Sequence, residues 1–128
     1  MRTSEANIEV KRNEDGLLSS ISVIMPTWNK VDHENVISIT IPLFGIKTFA
    51  NDNEDCEVAI QEAIKCFCIA AEKFGQGLEA ELQALNWSIT RENKLLSSLN
   101  FSVETKDVVL EQIMETGDQF VEDNLMIA

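Results

Sequence analysis

The chain has 128 residues, 45% hydrophobic and 25% charged, a balance that gives one globular domain with its own core and excludes a disordered tail or a cystine-stapled scaffold. Its 22 acidic residues against 10 lysines and arginines leave a net charge of −12, which repels phosphate backbones and anionic lipid. Nucleic-acid binding by this chain alone and membrane attachment are therefore not expected, whereas a basic protein partner is.

In chain order, the first half reads as strands. Residues 8–11 form a short apolar alternation before Asn13-Glu14-Asp15-Gly16, where Asp-Gly signals a tight turn. Residues 18–25 make a second strand, expected to end at Pro26. Residues 36–41 alternate and end at Pro42, and residues 46–50 follow just past Gly45. Connections this short require antiparallel neighbours.

At Asp52 the apolar period changes from two to about 3.6. Cys56, Ile60, Ala63, Ile64, Phe67, Ala70, Ala71 and Phe74 recur at three- and four-residue steps, with charged and amide side chains between them. This spacing predicts one long amphipathic helix over residues 53–74, capped by Asp52 and stopped by Gly75. Leu78, Leu82 and Leu85 mark a second, shorter helix, and Trp87-Ser88-Ile89 the start of a last core strand. Residues 95–103 fit a strand pair or an irregular crossing, and residues 105–116 a helix stopped by Gly117. From Asp107 to the end there are acids but no Lys or Arg, while Phe120, Val121, Leu125, Met126 and Ile127 make this tail apolar enough to dock on its own domain or on a second subunit.

The candidate chemistry is sparse. Cys56, Cys66 and Cys68 are an odd number without a Cys-x-x-Cys pair, and His33 is the chain's one imidazole, so no zinc set is expected and the three thiols read as buried and structural. Paired-carboxylate hydrolysis needs acids on the inward ends of strands, yet Glu9 is the sole carboxylate inside a proposed strand. Ser38 and Thr40 lack a nucleophile elbow, and His33 sits in a polar turn. Neither catalysis nor a cofactor is expected. Trp28 and Trp87 stand with too few lysines and arginines in sequence for base stacking, which reads as core packing or a partner contact. Met1-Arg2-Thr3-Ser4-Glu5 lacks an apolar export region, so the expected compartment is the cytoplasm.

The expectation is an α+β domain: an antiparallel sheet of three or four strands with one face covered by the long helix. Residues 1–90 would form that domain and residues 91–128 a C-terminal extension contacting a dimer mate or partner. The order of elements resembles the HicB family of antitoxins, whose domain is a partially degraded ribonuclease H-like fold. Leu43-Phe44-Gly45, the strand after it, Asn51-Asp52-Asn53-Glu54-Asp55-Cys56 at the helix start and Glu62-Ala63-Ile64 within the helix carry the likeness, across residues 21–89. Two features depart from the family: its proline-rich turn is reduced to Pro42, and no operator-binding motif is evident after residue 90. The resemblance implies a non-catalytic protein that occludes a small basic RNA-cleaving toxin. The alternative is a stand-alone structural, regulatory or ligand-sensing domain. A homodimer is expected from exposed sheet edges and the apolar tail. The candidate partner-binding acids are Glu111, Glu115, Asp118, Glu122 and Asp123, in the segment free of Lys and Arg.

Overall fold

The computed structural model describes residues 5–31, 34–93, 95–102 and 118–127. The order is β1 (Glu5–Arg12), β2 (Leu18–Val31), β3 (Ile37–Ile41), β4 (Ile46–Ala50), α1 (Asn53–Lys73), α2 (Leu78–Ala84), β5 (Ser88–Arg91), β6 (Leu96–Ser102) and β7 (Asp118–Met126). The α+β class holds. The sheet, however, is larger than the three or four strands expected: six lie in the order β4-β3-β2-β1-β6-β5, and β7 also pairs with β2, making seven. The extra strands come from beyond residue 90. All pairings among the described residues are antiparallel.

Alternation sorts the strand residues into two faces. Ile8 and Val10 on β1, Ile21, Val23 and Met25 on β2, Ile39 and Ile41 on β3, and Leu99 on β6 are all almost fully buried on the inner face. The register stacks them in rows: Ile8 opposes Val23 and Leu99, and Val10 opposes Ile21. The outer rows are polar around β1, where Glu9 stands between Ser22 and Ser98, and Asn7 donates to Asn100 Oδ1 at 2.7 Å.

Strand β2 does not stop at Pro26 but runs to Val31, because β7 pairs along residues 20–27 and β3 takes over from Trp28. Pro26 is tolerated where the β1 ladder has already ended, at Ile24. The β3–β4 connection closes through Phe44 N–H to Ile41 O and Gly45 N–H to Pro42 O, both 3.2 Å, with Gly45 at φ 68° as the turn requires.

Helix α1 begins where the sequence places it. The Asp52 carboxylate accepts from Asp55 N–H at 2.9 Å, and Glu54 and Asp55 occupy the positive end of the dipole. Its buried stripe is Cys56, Ile60, Ile64, Cys68 and Ala71. Phe74 was expected on that stripe but caps the helix at 88% exposure. Cys66 also departs from expectation and is exposed. It lies two residues, about 200° of helix rotation, from buried Cys68, so the two cannot share a stripe.

An aromatic run joins the turn to the helix and the distant strand. Phe44 stacks on Phe67 at 4.6 Å, meets Trp87 edge-on at 6.2 Å, and Trp87 meets Phe101 at 5.6 Å. The buried Trp87 indole donates to Leu43 O at 3.0 Å, which satisfies its one polar atom. Strand β7 settles where the C-terminal tail docks: Phe120 and Leu125 are buried on the chain's own sheet, opposite Met25 and Ile21.

Candidate acidic cleft between α1 and β7

Two polar constellations stand out, and one of them is structural. Arg12, at the end of β1, offers Nη1 and Nη2 to Glu72 of α1 and Nη2 and Nε to Glu79 of α2, four hydrogen bonds of 2.5–3.1 Å. Its Nη1 also reaches Gly16 O, in the β1–β2 turn, at 2.9 Å. Glu72 Oε2 accepts from Leu78 N–H at 2.8 Å, providing at the start of α2 the cap that Gly77 cannot. One guanidinium thus ties a hairpin to both helices. The hydrogen bond from Arg12 holds the Glu72 carboxyl below the usual carboxylate range. Burial pulls Glu79 upward, but the hydrogen bond and charge of Arg12 prevail and leave it lowered. Both anions in turn raise Arg12, so this cluster is a fully ionised lock.

The second constellation is a cleft between the first turns of α1 and the start of β7. Asn53, Glu57 and Ile60 form its helix wall, Gln119, Phe120 and Val121 its strand wall, and Thr27 and Asn29 of β2 its floor. The walls are tied together where Gln61 Nε2 donates to Glu122 Oε2 at 2.7 Å. Of the nearby acids Glu57 lines the helix wall; Asp52, Glu54 and Asp55 at the start of α1, and Asp123 of β7, are exposed outside the lining. Val121 on the strand wall is 53% exposed, and Val58, next in sequence to Glu57 but outside the lining, is 51% exposed.

The expected partner-binding acids divide accordingly. Glu111 and Glu115 lie outside the described residues. Asp118 opens β7, opposite Thr27. Asp123 is exposed, whereas Glu122 is half-buried, faces the helix opposite Val23, and accepts from Gln61. Glu122 lies two residues after Phe120 in unbroken register and so shares its inner face; the shift of register between Ile21 and Val23, with Asn124 at φ 57°, comes after it and returns Leu125 to that face. The acids at the start of α1 were legible as dipole partners; their position across from β7 was not. His33 lies outside the described residues, and those residues contain no group of three or more His, Cys, Asp or Glu able to hold a metal. Among them, no helix is long and apolar enough to cross a membrane. Cys68 is pushed up to about 12 by burial and by the charge of Glu72, and is no nucleophile at neutral pH. Comparison of the chain with protein-family models, with curated proteins and with solved structures finds no match.

Proposed function

We propose that the chain is a non-catalytic binding protein whose acidic cleft takes a lysine- or arginine-rich protein partner. The observation that carries this reading is the cleft itself, with Glu57 exposed on its helix wall and Val121 on its strand wall, next to the exposed acids Asp52, Glu54 and Asp55 at the same end of α1. Carboxylates in water suit charge pairing, whereas acid–base work at neutral pH asks for a desolvated one. The net charge of −12 adds a field that steers a basic partner inward. The HicB resemblance supplies the finer form, an antitoxin of degraded ribonuclease H-like ancestry, cytoplasmic, dimeric and occluding a small basic toxin.

The test is surface-plasmon kinetics on a basic protein captured by co-purification, across a salt series and with the pair Glu54→Lys and Glu57→Lys. Both side chains are exposed, so the fold should survive the reversal. Association should slow about tenfold or more, and the wild-type rate should fall steeply with salt, because the field is screened over about 8 Å at physiological ionic strength. A rate indifferent both to salt and to the double reversal would overturn the reading.

A further inference from the structure

We propose that the outer face of β2, β3 and β4 is a platform for single-stranded nucleic acid, a second surface independent of the cleft. Along β2, Thr27 and Asn29 face the cleft, so Trp28 and Lys30 point to the opposite side. The register carries that side across the sheet. Trp28 stands opposite Thr40, and Thr40 opposite Lys47; Lys30 stands opposite Ser38, and Ser38 opposite Phe49.

Two rows result, each with an aromatic ring at one end, a lysine at the other and a hydroxyl between. The order is reversed from one row to the next, so rings and ammonium groups alternate at the four corners. Strand spacing and rise set the rectangle at about 10 by 7 Å. Trp28 is 48% and Phe49 64% exposed, both lysines are exposed, and the hydroxyls are half-buried between them. The ion pairs among the described residues are both made by Arg12, so neither Lys30 nor Lys47 is held by a carboxylate there.

This chemistry matches one ligand class. A base stacks on a ring, its phosphate meets an ammonium group about 7 Å along the same strand, and Ser38 or Thr40 can bond a base edge or phosphate oxygen. A duplex hides the base faces that a flat sheet would stack. Overall charge argues against nucleic acid at long range, but α1, with five of the 22 acids, packs on the opposite face of β3 and β4. At about 0.1 M salt the screening length is about 10 Å, so the platform acts locally.

The test is fluorescence anisotropy with fluorescein-labelled oligouridylate of about 12 nucleotides, between about 0.1 and 0.3 M salt. Two lysines contribute a slope near −1.4, so affinity should fall about fivefold over that range, and Lys47→Gln should reduce the fall to about twofold. Trp28→Ala and Phe49→Ala should each weaken binding about tenfold or more, while Trp28→Phe and Phe49→Trp retain most of it, which a merely structural role would not produce. Absence of binding, binding unchanged in all of these variants, or equal competition by polyglutamate would overturn the proposal, the last in favour of an acidic protein ligand.

Discussion

Arg12→Met removes the guanidinium shared by Glu72 and Glu79 while keeping an unbranched stem beside β1, and so isolates the lock that joins the hairpin to both helices. The side chains are 17%, 23% and 12% exposed, mostly but not fully withdrawn from water. Breaking a buried pair by removing one partner costs about 3–5 kcal/mol; partial solvation of these carboxylates brings the expectation to about 2–3 kcal/mol at pH 7. Urea denaturation followed by circular dichroism should show it as a midpoint lowered by about 1 M or more. The pH dependence is the sharper test. Both carboxyls sit below their ordinary range in the folded protein, so their contribution is complete above the unfolded value of about 4.3 and disappears as pH falls through the folded values. In Arg12→Met, burial without a counter-charge raises them, so acid relieves the variant while it weakens the parent. The difference between the two proteins should therefore shrink from pH 7 towards pH 3.5. A difference that stays constant over this range, or is under about 0.5 kcal/mol at pH 7, would refute the account of the lock.

Three further outcomes follow from burial and pairing. Of the three thiols, exposed Cys66 should react with a chromogenic disulfide within minutes in the folded protein, whereas buried Cys56 and Cys68 should react only on unfolding, as stopped reactions analysed by mass spectrometry would show. Ile64→Ala should cost about 2–4 kcal/mol in urea unfolding because Ile64 is 0% exposed, while Glu62→Ala, on the solvent side of the same helix, should change stability by less than about 0.5 kcal/mol. Deleting residues 118–128 should expose the β2 edge and the Met25 and Ile21 contacts of Phe120 and Leu125, so the truncated chain should aggregate or lose amide protection in β2, seen by hydrogen exchange, rather than merely dissociate from a partner.

Local signals carried much of the architecture into the sequence. Asp15-Gly16 and Pro42 to Gly45 mark turns because backbone conformation there depends on a few residues, and both glycines have positive φ. Asp52 announces α1 because a cap is made within three residues, and the 3.6 period placed Cys56, Ile60, Ile64 and Ala71 on one buried stripe. Composition alone disclosed an acidic protein, and the acids at the head of α1 could be read as partners of its dipole.

What remained hidden depends on partners far along the chain. Strand β2 looks finished at Pro26 until β7 and β3, from residues 118–126 and 37–41, continue its ladders. Strand β7 disguises itself because the irregularity around Asn124 breaks the alternation that would reveal a strand, and Glu122, inward by its alternation with Phe120, meets a Gln61 that lies 61 positions away. Arg12, Glu72 and Glu79 are separated by 60 and 67 positions, beyond any local pattern. Trp28 and Lys30 gain meaning only when β3 and β4 lay Lys47 and Phe49 beside them. Helices, caps and turns are decided by hydrogen bonds between near neighbours, which the sequence by itself determines. Strand pairing, and with it every surface built across strands, is decided by contacts that only the tertiary structure brings together.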